Sequence, residues 1–508
     1  MKLKTLIRTS EVIDFQGDPE TEISSVEYDS RQVKPGALFV AVRGYRDDGR
    51  LYIKDAVKAG ASAVLVEKFK TEDPGVPVVV VPDARRSMAL AAAELYDHPA
   101  EKLVMIGITG TKGKTTTAFL LESILKQAGF SVGLMGTIKV SFADRERPAL
   151  ITTPESADLQ KYLSEMVQSG VSHVVFEVSS HALALSRVVG CTFDIGIFTN
   201  LGREHLDYHQ NLESYFEAKK RLFCQYLTGK HLAGGPRAVI NLDDEWGRKL
   251  AEEMGPAALT YAVESDAELT AKEIRNDRLN LSASLMTPAG DFEVHSHLLG
   301  RFNLYNFLAA AAAALALGVR VEHIAAGLEK IIKVPGRLER VGQNNDYLVL
   351  IDYAHTAEAL VKALESVRDM APGRLLTVFG CGGDRDKSKR PLMGAAAGKL
   401  SDFAIVTSDN PRTEDPLSII KQIEPGLLDL NLKRWEPGES NGNYPPGSYA
   451  VVPDRRKAIQ LGVRLMRRGD VLLVAGKGHE DYQIIGRDKF DFDDREEALL
   501  ALEAEGKV

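Results

Sequence analysis

The chain has 508 residues, 44% hydrophobic and 26% charged, an ordinary globular composition; this length exceeds one core, so about three domains are expected. A net charge of −8 offers no basic excess for nucleic acid or an anionic membrane, and the partners expected are small molecules. Cys191, Cys224 and Cys381 form no C-x-x-C pair, which argues against a disulfide framework or a zinc site. The opening MKLKTLIRTSEVIDF lacks the long apolar core of a signal peptide, and the alanine-rich run 308–317 is too short to span a bilayer. No membrane insertion, a cytoplasmic location and a monomer are expected.

In chain order, apolar runs predict strands at 37–42 and 63–66, with helices over 52–59 and 84–96: a small α/β unit covering 1–100. From 101 to 335 strands and helices alternate. An apolar run at 103–108 turns through Gly110-Thr111-Lys112-Gly113-Lys114-Thr115-Thr116 into apolar residues at helical spacing, Leu121, Ile124, Leu125 and Ala128. Thr153-Pro154 is expected to cap a helix closed by Gly170; strands are expected at 174–178 and 195–198. Residues 336–508 restart the alternation with strands at 347–351, 375–379, 403–407 and 471–474, a second doubly wound domain. The Pro, Gly, Asn and Ser of 435–448 predict an exposed loop.

The strand–glycine loop–helix at 103–128 predicts a triphosphate site. Glycines let backbone N–H groups converge on phosphate oxygens, while Lys114 adds charge and Thr115 a hydroxyl for magnesium. It is a variant loop, because Ile108 occupies the position where the usual P-loop has its first glycine. Glu177, at a strand end, suits magnesium or simply faces water; His205 and Asp207 follow the strand at 195–198 and fit a ligand or a structural role equally. In the C-terminal domain four strand ends carry polar turns, Asp352–His355, 380–387, 409–412 and 476–480. Four such turns on one sheet edge predict a binding face, and its arginines suit a substrate with carboxylates.

These residues carry a resemblance. GTKGKTTT (110–117), EVSSHAL (177–183), TNLGREHLDYH (199–209), LGRFNLYN (299–306), PGRLE (335–339), DYAHT (352–356), GCGGDRDKSKRP (380–391), DNPRTEDP (409–416) and GKGHEDYQ (476–483) occur in order. Over essentially its whole length the sequence resembles the Mur ligase family, most closely its MurE-type tripeptide synthetases. The resemblance implies three domains: a UDP-binding domain at 1–100, a central ATP-binding domain at 101–335, and a Rossmann-like amino-acid-binding domain at 336–508. It implies an ATP-dependent amide ligase of peptidoglycan precursor synthesis that activates a carboxylate as an acyl phosphate, releasing ADP and phosphate.

By the same resemblance, ATP would be bound by Gly110, Thr111, Lys112, Gly113, Lys114, Thr115 and Thr116, with Asn303, Asn306, Arg337 and Asp352. Magnesium would be bound by Thr115, Glu177, Lys219 and His205. The family's bridging lysine carbamate falls on Lys219 through the Ala-Lys-x-x-Leu pattern, although three adjacent cations on a helix ordinarily face solvent. Ser30, Tyr45, Arg46, Asp47, Thr152, Thr153, Ser179 and Arg187 match contacts to UDP-N-acetylmuramoyl-L-alanyl-D-glutamate; Leu185 stands where relatives can carry glutamine. Arg385, Asp409, Asn410, Pro411, Arg412, Gly476 and Glu480 match a meso-diaminopimelate pocket. The alternatives are L-lysine as the added amino acid and a catalytically silent ATP-binding scaffold. A folylpolyglutamate synthetase fits the DNPR turn and the N-terminal domain poorly.

Overall fold

The computed structural model describes residues 1–44, 47–67, 73–436 and 444–508. The chain divides into two compact units. The first takes Met1–Thr270, Met286–Gly290 and Tyr305–Gly327, and the second Ala271–Leu285, Asp291–Leu304 and Leu328–Val508.

The first unit holds two sheets. β1 (Asp14–Gln16), β2 (Ser25–Glu27), β3 (Ala37–Val40), β4 (Ala61–Val66) and β5 (Val78–Val80) lie in the order β1-β5-β4-β3-β2. Every residue of β3 is buried, because alternate side chains serve two cores. Leu38 and Val40 meet Met88 and Ala92 of the helix Ala84–Leu95, while Ala37 and Phe39 meet Ile53 and Ala56 of the helix Ile53–Lys58.

The larger sheet contains β6 (Val104–Thr109), β7 (Val132–Met135), β8 (Lys139–Phe142), β9 (Arg145–Pro148), β10 (His173–Glu177), β11 (Ile195–Phe198), β12 (Arg237–Asn241) and β13 (Ala258–Tyr261). Its order is β13-β12-β11-β6-β10-β7-β8-β9, parallel except for the hairpin β8–β9. β6 runs between β10 and β11, so the chain leaves it to both sides and opens a crevice at its carboxyl end.

β14 (Thr270–Asn276), β15 (Leu281–Met286) and β16 (Phe292–Ser296) form a separate three-stranded sheet that the sequence patterning did not predict. In the second unit β17 (Glu339–Val341), β18 (Leu348–Asp352), β19 (Leu375–Phe379), β20 (Phe403–Val406), β21 (Lys433–Trp435), β22 (Ser448–Val451) and β23 (Val471–Ala475) lie in the order β17-β18-β23-β19-β20-β22-β21. Only β17 is antiparallel. The hairpin β24 (Tyr482–Ile485) and β25 (Asp488–Asp491) follows.

Two local expectations are corrected. The helix beyond Thr153-Pro154 is Ser156–Gln168 with Glu155 at its N-cap, because the Thr153 hydroxyl is engaged elsewhere, donating to the Glu177 carbonyl at 2.9 Å. Of the loop expected at 435–448, both ends belong to strands, β21 and β22, and 437–443 lie outside the described residues. Among the described residues no helix is long and apolar enough to cross a membrane. All but the last residue of the alanine-rich run 308–317 lies in the helix Phe302–Ala316, with Leu308 to Ala314 fully buried.

Candidate active site

The glycine loop between β6 and the helix Lys114–Gln127 is held by the segment that follows β11. Lys112 N donates to Asn200 Oδ1 at 2.9 Å, while Thr199 Oγ1 and Asn200 Nδ2 donate to Lys112 O at 2.6 and 3.1 Å. Gly202 N donates to Thr111 Oγ1 at 2.9 Å, and the Lys112 ammonium pairs with Glu204 at 3.1 Å. Glycine is required at two points. Gly110 has φ 147° and a Cβ there would lie 1.9 Å from Thr199 Oγ1; Gly113 has φ 88° and its Cβ would lie 2.5 Å from Asn306 Oδ1. The loop therefore ends in a helix N-terminus, a seat for anionic oxygens. Lys114 Nζ donates to Gly110 O and Thr111 O at 2.9 and 3.1 Å.

At the end of β10, Glu177 is fully buried and each of its oxygens is engaged. Thr115 Oγ1 and Thr137 Oγ1 donate to Oε2, both at 3.0 Å, and Thr137 N donates to Oε1 at 2.9 Å. A buried carboxylate beside a hydroxyl at a phosphate loop offers the hard oxygen donors that suit magnesium. Among the described residues no three His, Cys, Asp or Glu side chains gather as for a metal ion. Such a magnesium site would be completed by phosphate oxygens and waters. Next to Glu177, Thr153 Oγ1 lies 3.2 Å from Ser179 Oγ, Thr152 Oγ1 lies 3.2 Å from Thr137 Oγ1, and Arg187 donates to Thr153 O at 3.0 Å. Arg187 is fixed by Glu155 at 2.7 Å, which also holds Arg85 at 2.9 Å.

Lys219, on the helix Leu212–Arg221, is 1% exposed; its Nζ donates to Gly110 O at 2.8 Å and lies 4.4 Å from the Tyr215 ring centroid. Burial first, and then the nearby Lys114, holds its pKa well below that of an ordinary lysine. His181, His205 and His209 form an aromatic cluster with Tyr208 and Tyr215; the His181 and His205 rings are 4.8 Å apart. His205 keeps an exposed edge. Packing around its ring, opposed by Glu204 and reinforced by His181 and Lys114, brings its pKa down to about 4, so at neutral pH the ring is uncharged and one of its two nitrogens keeps a free lone pair.

In the second unit the four predicted turns do converge. Asn410 Nδ2 donates to Glu480 Oε2 at 2.7 Å, and Arg412 Nη1 donates to Gly383 O at 2.9 Å. A Cβ on Gly476 would lie 2.5 Å from Asp409 Oδ2, and one on Gly478 would lie 2.6 Å from Tyr353 Cβ. Arg412 adopts φ 51° and is held on both sides by β24–β25: its N donates to Ile484 O at 3.0 Å and its O accepts from Gly486 N at 2.7 Å. The buried Arg390 pairs with Glu414 at 2.9 Å and donates to Gly382 O at 3.2 Å, tying the 380–387 turn to the DNPR segment. Burial, and then Asp409, raises the Glu480 pKa.

Comparison with known proteins bears on what these turns are for. The chain matches the Mur ligase family catalytic domain over residues 22–95, the Mur ligase middle domain over 108–314 and the Mur ligase glutamate ligase domain over 336–478. The chain belongs to the Mur ligase family. It is 48% identical over 501 residues, 99% of this chain and 98% of the relative, to the Geobacter metallireducens UDP-N-acetylmuramoyl-L-alanyl-D-glutamate--2,6-diaminopimelate ligase. It is 42% identical over 503 residues, 99% of each chain, to the protein of that name from Geobacillus thermodenitrificans. A solved structure of a UDP-N-acetylmuramoyl-L-alanyl-D-glutamate--2,6-diaminopimelate ligase aligns over 100% of both chains with a TM-score of 0.68 and 32% identity. Like its relatives, this Mur ligase is an enzyme of the ligase class with three α/β domains.

On this Mur ligase the expected residues fall into separate groups. Gly110 to Thr116, Glu177, Lys219, Thr152, Thr153, Ser179 and Arg187 share the crevice edge of the large sheet in the first unit, and Asn306 touches it through Thr117 at 3.3 Å. Asn303 belongs to the second unit, buried, with its Nδ2 donating to Leu299 O at 2.7 Å. There too Asp352 Oδ2 accepts from Leu338 N at 2.9 Å, and Arg337 lies 5.0 Å from the Tyr353 ring centroid. Ser30 opens the short helix Ser30–Gln32 beside the N-terminal sheet, and Asp47 O accepts from Gly44 N at 2.8 Å; Tyr45 and Arg46 lie outside the described residues. Arg385 is exposed on the 380–387 turn, its Cγ 3.7 Å from where a Gly382 Cβ would be. Thr199 and Asn200 were quoted within the 199–209 motif without their bracing role, while Thr137 and Tyr215, whose hydroxyl lies 3.3 Å from Thr111 Oγ1, were missed, since a single polar residue carries no local signal of the distant group it braces.

Proposed function

We propose that this Mur ligase joins meso-diaminopimelate to the D-glutamate of UDP-N-acetylmuramoyl-L-alanyl-D-glutamate, converting ATP to ADP and phosphate. The observation that carries the amino-acid assignment is the turn at 409–412. Arg412 projects from a left-handed backbone position clamped by a hairpin, beside the hydrogen-bonded pair of Asn410 and Glu480. A guanidinium suits the distal carboxylate of a diamino diacid. Lysine would present only an ammonium, whose like charge beside Arg412 is disfavoured by several kcal/mol. Glu480, whose proton affinity is raised by burial and which already pairs with Lys477 at 3.4 Å, offers its carboxylate to an arriving ammonium as well.

In this reading the N–H groups of Gly110 to Thr116 cradle the ATP phosphates and Lys114 neutralises the γ-phosphoryl group, with Asn303, Asn306, Arg337 and Asp352 as further nucleotide contacts. Thr115 and Glu177 would hold one magnesium ion; Lys219, as its carbamate, and His205 would hold a second. Bound there, the ions spread the charge of the transferring phosphoryl group. Thr152, Thr153, Ser179 and Arg187 orient the muramoyl dipeptide; Ser30, Tyr45, Arg46 and Asp47 are assigned to its uridine end. The substrate carboxylate attacks the γ-phosphorus, forming an acyl phosphate and releasing ADP. The free amine of meso-diaminopimelate then attacks the acyl carbon, phosphate leaves with the bonding pair, and the amine's proton passes to solvent.

We read the chain as a cytoplasmic monomer with domains at 1–100, 101–335 and 336–508. The three family matches, one within each range, support this division. The test is Arg412→Ala. The apparent affinity for meso-diaminopimelate should fall about a hundredfold, the scale of a lost charge pair, with ATP binding unchanged. Unaltered diaminopimelate kinetics would remove Arg412 from the pocket.

A further inference from the structure

We infer that Arg455, which lies outside every motif described above, sets the geometry of the amino-acid pocket by fastening its two turns together from beneath. The inference rests on the reading of 409–412 and 476–480 as that pocket. Arg455 opens the helix Arg455–Leu465, and its side chain is fully buried in an ion pair with the equally buried Asp494 at 2.6 Å. The pair spends only part of the guanidinium. Nη2 also donates to Ala475 O at 3.0 Å, and Nη1 to Ser408 O at 3.4 Å. Those two carbonyls immediately precede Gly476 and Asp409, the first residues of the two turns.

The sheet order shows why such a fastening matters. β20 and β23 are not neighbours, because β19 runs between them. No ladder hydrogen bond therefore sets the end of one against the end of the other, and two strand spacings, about 9.6 Å, separate their axes. The planar fork of Arg455 reaches both ends at once, as a lysine ammonium with its single nitrogen does not. Above it the turns touch: a Cβ on Gly476 would lie 2.5 Å from Asp409 Oδ2 and 3.9 Å from Arg455 Nη2. The positive charge also lies under Asp409 and Glu480, both of which stabilise it. Beneath the direct Asn410–Glu480 bond and the hairpin's hold on Arg412, the two turns that carry these residues thus take their spacing from a residue that does not touch the substrate. Arg455 is a positioning residue and Asp494 is its orienting partner.

The test compares full-length wild type with Arg455→Lys, Arg455→Met and Asp494→Asn, measuring thermal unfolding, kcat, and KM for ATP, the muramoyl dipeptide and the amino acid. Wild type is first assayed with meso-diaminopimelate and L-lysine separately. The inference predicts that in folded variants KM for the amino acid rises about tenfold or more, while kcat and KM for ATP stay within about threefold. Arg455→Lys should fall between wild type and Arg455→Met. An amino-acid KM within about twofold of wild type in a folded variant, or a loss shared equally by kcat and all three KM values, would overturn it. If Arg455→Met does not fold, Arg455→Lys and Asp494→Asn decide. Should wild type use lysine instead, the diaminopimelate reading fails while Arg455 is judged on KM for lysine.

Discussion

Adjacent lysines on the helix Leu212–Arg221 differ in everything but covalent chemistry. Lys220 pairs with Glu253 at 2.6 Å and Glu217 at 3.6 Å on a partly exposed surface, an arrangement worth about 0–1 kcal/mol. Lys219 turns inward to the phosphate loop, and burial disfavours its charged form. A neutral amine is the form that can take up carbon dioxide as a carbamate, so the environment of Lys219, and not that of Lys220, suits the modification. Lys219→Arg, which keeps a cation but cannot be carbamylated, should lower ligase turnover about a hundredfold or more, whereas Lys220→Ala should leave it within about twofold. Steady-state rates at saturating ATP check this; equal losses in both variants would contradict the assignment. The sequence pattern singled out Lys219 only through the family resemblance, because three consecutive cations carry no sign of which one is buried.

At the scale of elements, the phosphate loop is a rigid part braced by the residues after β11. Gly110→Ala would force a Cβ against Thr199 Oγ1 at a φ that L residues rarely adopt, so the loop must move away from its brace. The expected result is a folded protein whose affinity for ATP falls about tenfold or more, measured by nucleotide titration; unchanged affinity would show that the loop tolerates the shift. This element was legible in the sequence. Glycine spacing and helical periodicity located both strand and helix, and the buried parallel strands β11 and β19 coincide with the largely apolar runs at 195–198 and 375–379, the second broken only by Thr377. Elsewhere local signals were outweighed by tertiary contacts. Thr153-Pro154 has the chemistry of a helix start, but the Thr153 hydroxyl serves Glu177 and Ser179, and Glu155 takes the N-cap position. β14 alternates only loosely between buried and exposed residues, so its period was too weak to recognise. Arg455 and Asp494 were invisible because their partnership joins positions 39 apart in the chain.

For the whole molecule, buried histidines set a limit on acid stability. His173 packs against Phe130 with ring centroids 4.2 Å apart, and burial brings its pKa down to about 4. His479 is lowered to about 4 as well, again by burial first. An unfolded histidine takes its proton near pH 6.5, so between pH 6.5 and 4 the unfolded chain binds more protons than the folded one. Stability should therefore fall as the pH drops through that window, and His173→Gln should make the fall shallower. Unfolding temperatures followed from pH 7 to pH 4 check this; identical slopes for the two proteins would contradict it.

The account as a whole turns on which amine ends the reaction. The decisive measurement is phosphate release from ATP with UDP-N-acetylmuramoyl-L-alanyl-D-glutamate, bicarbonate and magnesium present, supplying meso-diaminopimelate and L-lysine in separate reactions. Release with meso-diaminopimelate and little with lysine is the predicted result. Release with lysine alone would contradict the reading of the 409–412 turn, and release with neither would contradict the ligase reaction itself.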